Sequence, residues 1–220
     1  MLPALVSFNI ILFPYWGTFL VPSVVAYFVL GYNIYWFYQS LQIAITGIVS
    51  HLRIQAAMNF DWVKDLKAFP DWKRVAHIVI VPTYKEPLYI LERTLKSLAD
   101  QTLPKKQLFV VLAMEKTEAK EERDKKVKAL RKKFGKTFQN LYITVHELLP
   151  GEVPGKASNE RYAAVWAKKN LIDKKKVEYE YAVATSCDAD HVFHPNHFAA
   201  LTYKFLDHPD RYKQFWQPAV

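Results

Sequence analysis

Charge is missing from the start of this chain: no Asp, Glu, Lys or Arg precedes Arg53. An uncharged run of that length excludes an ordinary water-facing surface for the segment. It also lacks the positive leading region and small-residue cleavage site of a secretory signal peptide. Cysteine is nearly absent as well. Cys187 is the only one, which excludes an internal disulfide and fits a cytoplasmic domain with a small buried thiol. The six glycines include no Gly-x-Gly-x-x-Gly, so a dinucleotide fingerprint is excluded. Gly151 to Ser158 approximates a P-loop. However, Gly151 lies too close to Gly155-Lys156, and Ala157 stands where Ser or Thr is required. Neither a Gly-x-Ser-x-Gly elbow nor a Cys/His zinc framework occurs. No basic run is interleaved with aromatics as in a nucleic-acid module, so nucleic acid is not an expected partner.

The uncharged part is long enough to cross a bilayer core of about 30 Å, at about 20 apolar residues per helix. Two membrane-crossing helices are expected, at about 5–20 and 24–41, with Pro22 in the first turn of the second. Tyr15, Trp16, Tyr32, Tyr35, Trp36 and Tyr38 suit interfacial aromatic belts. Arg53, Lys64 and Lys67 follow this part and no cation precedes it. The positive-inside rule therefore puts the remainder in the cytoplasm, as part of a multi-pass cell-membrane protein. The expected organisation is a transmembrane region at 1–50, an amphipathic connector at 51–74 that touches membrane lipid, and a folded domain at 75–220. All of the formal net charge of +9 belongs to the residues from Arg53 on. Such a domain suits an anionic lipid surface or a nucleotide diphosphate.

From Val75 the pattern alternates. Strands are expected at 76–82, 107–113, 141–145 and 179–186. Helices are expected at 88–100, 118–136, from the 149–159 loop to about 169, and at 195–206. The strands read as near-continuous apolar runs, the mark of a parallel sheet buried on both faces. The lysines of the 118–136 helix read as a solvated face. Another strand is suggested just before Gln217. The result is an α/β fold with a mostly parallel sheet and right-handed crossovers.

The fourth strand ends in Asp188-Ala189-Asp190. In open α/β sheets ligands bind just beyond the carboxyl ends of the strands. Two carboxylates there supply hard oxygen ligands for Mg²⁺ or Mn²⁺ beside a phosphate. Taken alone, the pair reads equally as a helix cap (Asp188) and a solvated loop residue (Asp190). His191, His194 and His197 read as residues around a helix start, with a transition-metal ligand as the alternative. Phosphatases of the haloacid dehalogenase type carry an Asp-x-Asp at the end of their first strand, followed by Thr, which is not the case here.

Four motifs then stand in order: Pro82-Thr83-Tyr84-Lys85-Glu86-Pro87, Glu115 after the second strand, Gly155-Lys156-Ala157-Ser158-Asn159, and Asp188-Ala189-Asp190. In this order they resemble the catalytic domain of family 2 glycosyltransferases, the inverting GT-A-fold group that includes cellulose and hyaluronan synthases. The resemblance runs over about 75–218. It implies a GT-A fold preceded by transmembrane helices, and transfer of a sugar from a nucleotide-sugar, UDP-sugar first, to a glycan, lipid or other acceptor at the cytoplasmic face. It also implies a donor site made by Thr83, Tyr84, Glu86, Glu115, Lys156, Asn159 and Asp188, with Tyr84 near the base and Asp188 and Asp190 at the metal. Glu115 stands where the family usually has Asp. The family's catalytic base lies in a downstream Thr-Glu-Asp-like motif, and processive members add Gln-x-x-Arg-Trp; neither occurs here. The base is therefore expected beyond Val220, with weak or absent transfer by these residues alone. Two alternatives stand beside this reading. One is a non-catalytic nucleotide-binding or assembly module in the membrane. The other is a nucleotidyltransferase, for which Thr83 to Pro87 does not supply the glycine-rich turn.

Overall fold

A computed structural model describes residues 2–138, 141–153 and 155–217. Pro154 of the predicted loop and 218–220 at the end of the predicted domain lie outside the described residues. The chain divides into two compact units, 1–57 and 58–220.

The first unit is built from helix α1 (Leu2–Leu20) and most of helix α2 (Pro22–Asn59). Among the described residues, α1 alone combines the length and apolarity of a membrane span, with a mean hydropathy of 1.3. The second expected segment is instead part of a 38-residue helix that runs on past Leu41. Asn33, Gln39, Gln42 and Thr46 dilute its apolar sequence. Gly17 lets the helices meet: a Cβ there would lie 2.8 Å from both the Phe13 ring and Val25. Phe13 packs edge-on against Phe28, with centroids 5.2 Å apart.

The second unit begins with a short helix, α3 (Trp62–Leu66), started by Asp61, whose carboxylate accepts the Lys64 N–H at 3.1 Å. Its sheet contains β1 (Ala76–Thr83), β2 (Leu108–Glu115), β3 (Leu141–His146) and β4 (Ala182–Ser186) in the order β3-β2-β1-β4. All three pairings are parallel. Both central strands are buried along their whole length, as continuous apolar runs on both faces require. One layer holds α4 (Leu88–Ala99), α5 (Lys120–Phe134) and α7 (His197–Asp207), with Leu91, Leu95, Leu98, Leu130 and Phe198 in one core. The other holds α6 (Lys156–Ala167), whose Ala163 and Ala167 pack with Ile78, Ile80 and Val111.

The expected α/β class and all four strand positions are found. Some boundaries differ for local reasons. β4 starts three residues late because Tyr179–Tyr181 is a 3₁₀ turn. There the Tyr181 hydroxyl donates to Asp71 at 2.6 Å, with the Arg74 guanidinium 4.1 Å from its ring. No strand forms before Gln217; a 3₁₀ turn at Arg211–Lys213 leads into irregular chain.

Candidate functional site

Parallel pairing brings the carboxyl ends of β1, β2 and β4 to one edge. Thr83 pairs with Met114, so Glu115 stands one residue beyond it. β4 stops lower, with Ser186 opposite Ile80, and the Cys187 N–H still reaches the Ile80 carbonyl at 3.2 Å. The next residues leave the sheet about three residues before β1 turns at Thr83.

The β1 turn is held by Glu86. Its Oε2 accepts the buried Thr83 hydroxyl at 2.6 Å and also the Tyr84 N–H. Closing so tight a turn puts Lys85 at φ 62°, a left-handed conformation that a non-glycine residue adopts only when its surroundings impose it. Tyr84 is 45% exposed, with the Lys85 ammonium 4.9 Å from its ring centre. An open aromatic face at this edge suits a planar ligand group.

Glu115 is the last residue of β2 and only 3% exposed; its Oε2 accepts the Thr117 hydroxyl at 3.1 Å. The turn after it is clamped by Arg123, 9% exposed, which donates to the carbonyls of Glu115 at 3.3 Å and Glu118 at 3.0 Å. Glu118 is buried and paired with Lys126. The solvated-face reading of this helix missed Arg123. Its spacing from Leu130 and Phe134, seven and eleven residues, puts it on the same face as the core residues.

α6 starts at Lys156, so the Lys156 to Asn159 motif is its first turn rather than a loop. Gly155 precedes it at φ 150°, open to glycine and rarely to other residues. Asn159, 1% exposed, donates from Nδ2 to the Ala113 carbonyl at 2.7 Å and so pins α6 to β2; its Oδ1 has no partner. Lys156 points the other way. Its ammonium lies 2.6 Å from Asp188 Oδ1 and 3.5 Å from Glu160 Oε1. The Asp188 hydrogen bond raises its pKa above the usual lysine value, with Glu160 adding to the effect. Glu160, which also accepts the Ser186 hydroxyl, was not singled out from sequence. Its place four residues after Lys156 is the signal that could have found it.

Asp188 does not cap α7; Asn196 stands at that position. Asp188 and Asp190 are both exposed, whereas Cys187 and Ala189 are buried. Burial and the neighbouring Asp188 push the Cys187 thiol up to about 12, which keeps it protonated. The Ala189 and Asp190 carbonyls are held from α4 by the Thr94 hydroxyl at 2.6 Å and Arg93 at 3.1 Å. His197 is the first residue of α7, and burial, then His191 and His194, lower its pKa to about 4. His194 accepts the Asn196 N–H through Nδ1 at 3.2 Å. Among the described residues no group of three or more His, Cys, Asp or Glu is arranged to hold a metal. Asp188 and Asp190 offer two carboxylates, so a cation held there would need phosphate oxygens and water to complete its shell.

Comparison with protein families finds no match, and comparison with curated proteins finds none either. Among solved structures the chain is similar to S. aureus TarS 1–349, with a TM-score of 0.41 and 22% identity, over 60% of this chain and 32% of that one. It is also similar to the mannosyltransferase PcManGT from Pyrobaculum calidifontis in complex with GDP-Man and Mn²⁺. There the TM-score is 0.39 with 23% identity, over 77% of this chain and 43% of that one. The chain thus spans well under two thirds of either structure. Likeness at this level is partial and carries no activity over.

Proposed function

We propose that this chain is the donor-binding part of a membrane-anchored, inverting glycosyltransferase of the family 2 kind, using a nucleotide-sugar, UDP-sugar first, with Mg²⁺ or Mn²⁺. The observation that carries the reading is the Lys156–Asp188 pair, 2.6 Å apart across 32 residues of sequence. It joins two of the four ordered motifs at the edge where α/β sheets bind ligands.

In this reading Asp188 and Asp190 would hold the cation, and Lys156, paired with Asp188 here, would turn to the phosphate oxygens of the donor. Tyr84 lies against the base, and Glu115 accepts from base or ribose. Thr83 and Glu86 hold the turn that presents Tyr84, and Asn159 fixes α6. When bound, a cation there would neutralise charge developing on the leaving diphosphate. In the transfer, the acceptor hydroxyl oxygen bonds to the anomeric carbon while the bond from that carbon to the diphosphate breaks on the opposite face. The hydroxyl proton passes to a base that is not among the residues assigned here.

Membrane attachment through α1 and α2 is part of the proposal. Large apolar side chains from Leu2 to Leu52 are exposed on both helices, far more than a water-facing surface carries. The polar side chains bond within their own helix. Asn9 donates to the Leu5 carbonyl at 2.9 Å, Asn33 to Val29 at 2.7 Å and Thr46 to Gln42 at 2.8 Å, and Thr18 donates to Pro14. Hydrocarbon offers no other partner, so this pattern suits a bilayer. The domain then faces the cytoplasm and a glycan or lipid acceptor there.

The test is nucleotide release from UDP- and GDP-sugars by the purified chain in detergent, with acceptor-containing membranes added. Release coupled to sugar incorporation supports transfer. Nucleotide-sugar binding with little or no incorporation is the result expected of a donor-binding part that lacks its base, and no binding of any nucleotide sinks the reading.

A further inference from the structure

Between Cys187 and α7 the chain has no ladder partner, yet its backbone is not left to solvent. Much of that bonding comes from α4 and the residues just after it. The Thr94 hydroxyl donates to the Ala189 carbonyl at 2.6 Å, and Ser97 Oγ accepts the Phe193 N–H at 3.1 Å. Gln101 donates from Nε2 to the His194 carbonyl at 2.9 Å, and its Oε1 accepts the Phe198 N–H at 3.2 Å. Thr94 and Ser97 lie about 60° apart on one side of α4, and Gln101 follows two residues after the helix ends. All three side chains are buried beside Leu91, Leu95 and Leu98. Buried polar groups are costly unless paired, and these three pair with one segment.

Thr94, wholly buried, makes the bond that matters most. Ala189 separates the two aspartates; its carbonyl belongs to the peptide bond shared with Asp190 and lies one residue from Asp188, so fixing it limits how far either carboxylate can move. Ala189 is buried between the exposed Asp188 and Asp190. We infer that Thr94 is a positioning residue for the Asp188/Asp190 pair, acting through the Ala189 carbonyl. It makes a metal-bound diphosphate a better ligand than the same nucleotide without metal. The inference rests on the donor-site reading above.

Thr94→Val keeps the branched shape and removes the hydroxyl; Thr94→Ser restores it. In detergent-solubilised full chain, Thr94→Val is expected to weaken Mn²⁺-dependent UDP binding by about tenfold, the loss of one buried hydrogen bond. UDP binding without Mn²⁺ should stay within about twofold. Amide exchange should quicken in peptides covering 188–193 and stay parental in β1 and β2, and Thr94→Ser should recover both properties. Parental Mn²⁺-dependent affinity in Thr94→Val, or equal loss with and without Mn²⁺, overturns the inference. If the parent itself shows no Mn²⁺-dependent UDP binding, the donor-site reading fails and exchange alone decides. Selective loosening of 188–193 then supports positioning by Thr94, and parental exchange overturns it.

Discussion

The buried His77 of β1 sets an acid limit on the fold. Its Nε2 lies 2.7 Å from the Thr202 hydroxyl, which donates its own proton to the Phe198 carbonyl at 2.7 Å. The hydroxyl therefore accepts from the ring, the proton sits on Nε2, and Nδ1 remains a bare acceptor without a partner. A second proton would bury a charge on an unpaired donor. Burial, with His197 nearby, lowers the His77 pKa to about 3. For both histidines the folded value lies below the ordinary 6.5, so the unfolded chain takes up protons that the folded chain refuses. Their contribution is full above pH 6.5. It falls as pH drops, down to about 4 for His197 and about 3 for His77, by about 1.4 kcal/mol per pH unit for each group. Denaturant unfolding at several pH values between 7.5 and 5 reads this slope. His77→Phe is expected to remove about half of it; an unchanged slope would count against the assignment. Lys156 gives a second prediction. Both partners of its Asp188 pair are more than half exposed, so the pair is worth at most about 1 kcal/mol. Lys156→Met is expected to strengthen Mn²⁺ binding without nucleotide by about two- to fivefold and to weaken UDP binding. Titration calorimetry separates the two, and movement of both in one direction would contradict the exchange of partners.

α6 is positioned at its first turn by two residues with different duties. Gly155→Ala forces a Cβ into a conformation with φ 150° and is expected to cost about 1–3 kcal/mol. Asn159→Ala strands the Ala113 carbonyl and is expected to cost a similar 1–3 kcal/mol or so. Thermal unfolding measures both, and an unchanged midpoint for either would show that the residue does not anchor the helix. The two were not equally legible. A lone glycine before a helix marks a special backbone position, but nothing in the sequence told that Asn159 faces β2 rather than a ligand. β1 and β2 were readable because burial on both faces demands an unbroken apolar run. The ends of α5 were not: an unbroken stretch of charge hides where Arg123 and Glu118 turn inward to order the turn after Glu115. Likewise the role of Thr94 and Ser97 on α4, and of Gln101 just after it, is invisible from sequence, since their partners are backbone groups from a segment far along the chain.

The uncharged first part and the strand–helix alternation are the features that sequence carries most plainly, because each is set by which solvent a surface meets. Juxtaposition across the sheet is harder to read. The motifs give the order of the site residues, whereas the Lys156–Asp188 contact depends on crossovers that bring β4 beside β1. With membrane attachment through α1 and α2, the chain should stay in the membrane pellet after an alkaline carbonate wash; recovery in the supernatant would contradict it. Donor binding at the carboxyl edge of the sheet is the central proposal. UDP binding to the detergent-solubilised chain, with and without Mn²⁺, tests that directly when set beside Asp190→Ala. Asp190 is exposed, so its removal should leave stability within about 0.5 kcal/mol. Mn²⁺-dependent binding is expected in the parent and its loss in the variant. Absence of binding to the folded parent, or equal Mn²⁺-dependent binding in Asp190→Ala, would contradict it.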